Sequence, residues 1–166
     1  MNFNGNILSW DEYFMSVAAL SAFRSKDPRS KMGACIVNAR NRIVGVGYNG
    51  FPAGCDDDSL PWGHDGDFLD TKYPYVCHAE QNAIFNSSTD LHGCRIYTPF
   101  FPCNDCAKAI IQVGIAEVIY LQYNHSPELD IFVAARRLFD MSGIVCRCLE
   151  MGRDRLVIDY SSVGDI

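Results

Sequence analysis

Two short segments of this chain carry the side chains best suited to hold a metal and move a proton. The first is Cys77-His78-Ala79-Glu80 and the second is Pro102-Cys103-Asn104-Asp105-Cys106. Cys103 and Cys106 are three residues apart, which on a helix puts both sulfurs on one face and close together. Pro102 suits a first helical turn, and the exposed N–H groups of a helix N-terminus favour negative sulfur. With the imidazole of His78, the two thiolates make three protein ligands for Zn²⁺. A fourth tetrahedral position left for water marks a catalytic site rather than a closed structural one. The C-x-x-C segment on its own also allows a redox pair or a structural zinc. Glu80 follows His78 by two residues, roughly 200° around an ideal helix. Imidazole and carboxylate therefore converge only if the metal lies at the helix end. There Glu80 acts as general acid–base, taking a proton from the attacking water and protonating the departing group. Elsewhere it is a solvated first-turn carboxylate.

The elements that must position these groups follow from the hydrophobic period. Ser9-Trp10-Asp11-Glu12 reads as a capping box opening a helix, with Trp10, Tyr13, Phe14, Val17 and Leu20 on its apolar face and Asp27-Pro28 as its stop. Runs at 33–38 and 43–48, separated by Ala39-Arg40-Asn41-Arg42, read as a hairpin. Residues 49–76 hold four glycines and Asp56-Asp57-Asp58 without a clear period, a long excursion of the kind that is functional or mobile. Then come a helix at 78–86, a strand at 95–98, a helix at 103–113 and a strand at 117–121. A helix at 127–141 has Ile131, Ala134, Ala135, Leu138 and Phe139 on one face and Gly143 as its stop. Strands at 144–148 and 156–160 close the chain. A hairpin followed by strand–helix alternation predicts an α/β fold: a mixed sheet with helices on both faces and its later strands parallel.

With 166 residues, no internal repeat and no linker, a single domain over 1–166 is expected. The 48% hydrophobic and 20% charged residues are those of a globular chain, not a disordered one. Fourteen Lys and Arg against twenty Asp and Glu leave a net charge of −6, which disfavours a general ligand of nucleic acid polymers or anionic membranes. Eight cysteines fall short of a disulfide scaffold. The opening six residues carry no leader and no apolar run reaches membrane-span length, so a cytoplasmic setting with reduced thiols is expected. Cys35 and Cys146, in predicted strands, read as small buried hydrophobes. Cys77 adjoins the site without being a ligand, and Cys55, His64, His92 and Cys94 share no tight spacing for a second metal.

The two motifs, in this order, match the H-x-E…P-C-x-x-C pattern of zinc deaminases acting on nucleobases. Further matching segments are Ser25-Lys26-Asp27-Pro28, Val46-Gly47-Tyr48-Asn49-Gly50, Leu60-Pro61-Trp62, the run from Asp70 to Glu80, and that from Phe101 to Lys108. From Trp10 to about Tyr160 the chain resembles the deoxycytidylate (dCMP) deaminases of the cytidine deaminase superfamily. The resemblance implies a three-layer α/β/α fold with a mixed five-stranded central sheet, one catalytic zinc, and hydrolysis of dCMP to dUMP and ammonia that feeds thymidylate synthesis. It also implies a homo-oligomer, typically a hexamer, activated by dCTP and inhibited by dTTP.

Carried over by position, Asn49 resembles the asparagine that bonds the sugar 3′-hydroxyl, the alternative being a turn residue before Gly50. Gly47, Tyr48, Asn49 and Gly50 resemble the segment that contacts the effector, so one loop could couple the two sites. A dianionic substrate on a protein of charge −6 requires local cations, for which Arg24, Lys26 and Arg29 are candidates; a solvated helix end is their other role. Arg136 and Arg137 are expected on an exposed helix face. Tyr123 is placed to cover the base or to stand as a surface tyrosine, and the segment 122–128 departs from the family pattern in length. Asp56-Asp57-Asp58 offers Mg²⁺ ligands beside an effector triphosphate, or a solvated acidic loop. Two rivals stand beside this reading: deamination of polymeric nucleic acid on the same zinc chemistry, against which the charge balance speaks, and a zinc-stabilised interaction module.

Overall fold

A computed structural model describes residues 7–161; residues 1–6, the stretch that bears on a leader, and 162–166 lie outside the described residues. The chain runs α1 (Trp10–Ala22), β1 (Gly33–Val37), β2 (Ile43–Tyr48), α2 (Ala79–Phe85), β3 (Arg95–Phe100), α3 (Asn104–Gln112), β4 (Glu117–Gln122), α4 (Asp130–Ser142) and β5 (Val145–Cys148). The strand order is β2-β1-β3-β4-β5. β1 pairs antiparallel with β2 and β3, whereas β3–β4 and β4–β5 are parallel, as the hairpin and the later alternation predict.

Side-chain alternation along the strands divides the core in two. Ala34, Ile36, Ile96 and Val118 face α2, α3 and α4, while Cys35, Val37, Tyr97 and Ile119 face α1. The result is the expected three-layer α/β/α fold around a mixed five-stranded sheet. No helix among the described residues is long and apolar enough to cross a membrane.

α1 begins as its sequence dictates: Glu12 N–H donates to Ser9 Oγ at 3.2 Å and Ser9 N–H to Glu12 Oε2 at 2.8 Å. Its buried face differs from the expected one. Phe14, Met15 and Ala18 are buried, whereas Trp10, Tyr13 and Leu20 stay exposed. α1 is the one helix among the described residues on its side of the sheet, so only a narrow stripe is enclosed and the rest of its apolar surface points outward. Arg147 of β5 ties the two layers, donating to Asp11 Oδ2 and Glu117 Oε1, both at 2.9 Å.

Three further expectations are corrected. α4 buries Phe132, Ala135 and Phe139, leaving Ile131 exposed. The run 156–160 is not a strand: β5 is the sheet edge, and after Leu149 N–H bonds Tyr120 O the chain crosses to the α1 side, where Leu149 and Met151 pack. For the same reason Cys146 on β5 is exposed, while Cys35 in β1 is buried as expected and its thiol is pushed up to about 12 by burial.

The placement of α2 depends on two glycines of β2. A Cβ at Gly47 would lie 2.2 Å from Ala83 N and 2.3 Å from Ala79 O, and one at Gly45 would lie 2.5 Å from Ala83 O. Bare backbone there lets the helix rest directly on the strand. Asn82 Nδ2 then donates to Tyr48 O at 2.8 Å and Asn86 Nδ2 to Val46 O at 3.0 Å, fixing its rotation.

Candidate metal centre

The two motif segments become the N-termini of α2 and α3. His78 is the N-cap of α2 (φ −72°, ψ 158°) and Cys103 the N-cap of α3 (φ −71°, ψ 171°), both in extended conformation. An N-cap residue stands outside the helical turn, so its side chain can lie across the helix end. That removes the angular conflict between His78 and Glu80, because only Glu80 is held to the helical repeat. His78 N–H donates to Gln81 Oε1 at 3.2 Å, steadying the cap. Cys106 sits in the first turn of α3 and is fully buried. Pro102 precedes the cap rather than entering the first turn.

His78 Nδ1 lies 3.4 Å from Cys103 Sγ and 3.3 Å from Cys106 Sγ, and all three donor atoms are within 4.8 Å of one another. Tetrahedral zinc with ordinary Zn–S and Zn–N bonds separates sulfur and nitrogen by about 3.6 Å. The two sulfur–nitrogen distances are thus within a few tenths of an ångström of zinc geometry, and two sulfurs with one imidazole nitrogen suit zinc chemically. Among the described residues this is the one such group; Cys55, His64, His92 and Cys94 form none.

The charges of the donors are arranged for the same purpose. The Cys106 thiol bonding Cys103, together with His78 beside it, holds the Cys103 thiol down to about 4. Cys103 in turn raises His78 to about 9 and, with burial, pushes Cys106 well above the usual thiol range. One thiolate is thus present at neutral pH, and a cation must displace protons from His78 and Cys106 to complete its ligand set. Glu80, 8% exposed, is raised by burial, the opposing pull of His78 being smaller. A carboxyl group so raised accepts and holds a proton more readily than an ordinary one, as a proton carrier must. A cleft of about 470 Å³ borders His78, with Tyr73, Gln81, Asp105 and Lys108 on its walls; the Lys108 ammonium is held by Asp105 at 2.5 Å.

The residues proposed for the nucleotide are placed differently. Asn49 is buried, and its side chain is already bonded: Oδ1 accepts Met32 N–H at 2.8 Å, while Nδ2 donates to Ser30 O at 2.8 Å and Asp27 Oδ2 at 3.3 Å. Arg24 and Arg29 are exposed just beyond α1, and Lys26 is ion-paired with Asp57. Asp56 accepts Asp58 N–H and the Ser59 hydroxyl, so the acidic run is partly occupied by its own turn. Gly47 is buried under α2, Tyr48 offers its carbonyl to Asn82, and Gly50 pairs its backbone with Cys77. Tyr123 is half-buried, stacked 4.8 Å from Phe101, with its hydroxyl accepting Arg136 Nη1 at 3.3 Å. Arg136 is accordingly half-buried over that ring, correcting the expectation for it; Arg137 is exposed as expected. The excursion 49–76 is stitched together by a Phe51–Trp62 ring contact at 4.1 Å and by Trp62 Nε1 donating to Asp57 O at 3.0 Å.

Motif reading missed the buried pair Asp27–Lys72. Asp27 signalled only a helix stop before Pro28, and no local spacing links positions 27 and 72.

Residues 8–122 match the family described as the cytidine and deoxycytidylate deaminase zinc-binding region. The chain is 57% identical over 161 residues to deoxycytidylate deaminase of Homo sapiens, covering 95% of this chain and 89% of that protein. It is 46% identical over 162 residues to a probable deoxycytidylate deaminase of Drosophila melanogaster, covering 93% and 79%. A solved dCMP deaminase from the cyanophage S-TIM5, in complex with dCMP and dUMP, is similar at TM-score 0.64 and 28% identity over 83% of this chain and 95% of that one. The chain belongs to the cytidine and deoxycytidylate deaminases, enzymes with a zinc-binding region, and His78, Cys103 and Cys106 lie within the matched residues.

Proposed function

We propose that the protein hydrolyses dCMP to dUMP and ammonia at the His78–Cys103–Cys106 corner, with Glu80 as the proton carrier. The observation that carries this is the convergence of three zinc donors beside a buried carboxyl group whose pKa is raised. His78, Cys103 and Cys106 would hold the zinc, which when bound would supply a water activated for attack at C4 of the cytosine ring. Glu80 takes up a proton from that water and delivers it to ring N3, then takes the remaining proton of the hydroxyl added at C4 and passes it to the departing amine, leaving the C4 carbonyl. Glu80 and Cys106 are buried, while His78 is exposed where the cleft meets the site. The named relatives and the dCMP and dUMP complex of the phage protein support the substrate.

For the 5′-phosphate, Arg24 is an exposed cation near the α1–β1 connection, and Lys26 serves only by leaving Asp57. For Asn49 to bond the sugar hydroxyl it must give up one of its present partners. Activation by dCTP, inhibition by dTTP, an effector contact at 47–50 and a role in thymidylate supply complete the reading. Mg²⁺ beside a triphosphate at Asp56–Asp58 requires Lys26 to release Asp57. Assembly into a hexamer accords with the exposed apolar side chains Trp10, Tyr13, Leu20 and Phe23 along α1. A reducing, cytoplasmic setting keeps the ligand thiols available for zinc.

The test is dUMP formation from dCMP by zinc-loaded protein, alongside CMP, deoxycytidine and a single-stranded cytosine oligonucleotide, each with and without dCTP and dTTP. Turnover of dCMP, raised by dCTP and lowered by dTTP, is the expected result. Activity on the oligonucleotide or the nucleoside alone would overturn the substrate.

A further inference from the structure

The geometry points to Asp27 and Lys72 as positioning residues for this deaminase site: their ion pair closes a ring of contacts that ends at Cys77, the residue leading into His78. The assignment rests on the functional reading above, and it extends that reading to residues outside the three zinc donors.

Asp27 follows α1 and is fully buried. Its Oδ1 accepts the backbone N–H groups of Arg29 and Ser30, both at 2.9 Å, and its Oδ2 accepts Asn49 Nδ2 at 3.3 Å and the Lys72 ammonium. Those four donors use the whole acceptor capacity of a carboxylate. Lys72, whose side chain is 12% exposed, is the cation that offsets the buried charge.

Two arms leave this carboxylate. Along the first, the Lys72 carbonyl accepts Tyr75 N–H and Val76 N–H, both at 3.0 Å, turning the chain into Cys77. Along the second, Asn49 is clamped by Asp27, Ser30 and Met32, and the next residue, Gly50, exchanges backbone hydrogen bonds with Cys77 at 3.1 and 2.9 Å. The arms meet one residue before the metal ligand. A change at the ion pair therefore displaces Asn49 and His78 together, although neither Asp27 nor Lys72 is among the zinc donors. A purely structural pair would instead tie activity and metal retention to overall stability.

Three variants separate these roles: Lys72→Met, the neutral double variant Asp27→Asn/Lys72→Met, and Lys72→Arg. The readouts are melting temperature, the rate of zinc release from loaded protein to a chelator, and kcat and KM for dCMP. Lys72→Met strands a buried charge and should lower the melting temperature and kcat/KM and speed zinc release. The double variant removes that charge, so its melting temperature should return toward wild type. Its zinc release should nonetheless stay about tenfold faster, and its kcat/KM about 100-fold lower. Zinc release and kcat/KM recovering along with the melting temperature would overturn the assignment. Should the double variant fail to fold, Lys72→Arg decides. Its longer, forked head keeps the charge but moves the 72–77 segment, so zinc release should quicken about threefold at an unchanged melting temperature. Unchanged release would overturn the assignment. Wild-type protein that makes no dUMP sinks the deaminase reading, while zinc release still decides the role of the ion pair.

Discussion

The metal corner and the α1–β1 connection with its partner loops both bring distant residues together, but they leave their polar side chains in opposite conditions. At the corner, His78, Cys103 and Cys106 aim their donor atoms at one another across two helix ends, and Glu80 is buried beside them. Around residues 24–30 and 47–58, the polar groups suited to a nucleotide are largely engaged within the protein: Asn49 with Asp27, Ser30 and Met32, and Lys26 with Asp57. The first region is prepared for a cation and needs only to lose protons. The second must exchange internal partners for ligand partners, so binding there competes with contacts that hold the fold.

The contrast breaks most sharply at the metal. Cys106→Ser should reduce zinc from about one per chain to almost none and abolish turnover, measured by metal analysis of purified protein. Returning zinc to chelator-stripped wild type at neutral pH should release about two protons per ion, one from His78 and one from Cys106. Next in size is Gly47→Ala. A methyl group 2.2 Å from Ala83 N forces α2 off β2, and the denaturant midpoint should fall by the equivalent of about 3 kcal/mol.

A smaller effect belongs to Asp27. Burial alone would raise its carboxyl, but Lys72 and the Ser30 and Arg29 amides outweigh it and hold the folded value below that of the unfolded chain. Its contribution to stability is therefore complete above the unfolded value and lost as pH falls through the folded one. Urea midpoints between about pH 5 and pH 2 should decline less steeply in Asp27→Asn than in wild type. The smallest effect is expected at Lys26, an exposed pair with Asp57. Lys26→Ala should leave the melting temperature unchanged. A rise in KM for dCMP without loss of kcat would then mark Lys26 as a phosphate contact.

What could be read from the sequence follows the range of the interactions. The zinc donors and Glu80 are legible because each motif is short and each opens a helix, so local backbone rules place the side chains. The hairpin, the parallel strands and the Gly143 stop are legible for the same reason. The α1 face differs from its periodic expectation because Trp10, Tyr13 and Leu20 obey the helical period while Phe14, Met15 and Ala18 meet the sheet. The run 156–160 has strand composition but no neighbouring strand to bond, since β5 already forms the edge. The Asp27–Lys72 pair was invisible because its partners are joined only by the folded course of the 49–76 excursion. Asn49 before Gly50 has the composition of a turn, and nothing local announces the three partners of its side chain.

The central claim is that a buried carboxyl group beside three zinc donors carries the protons of dCMP deamination. Glu80→Gln tests it most directly, with zinc content and dUMP formation measured on the same sample. Zinc retained at about one per chain with dUMP formation reduced at least about 1,000-fold is the predicted result. Undiminished turnover at full zinc occupancy would contradict it.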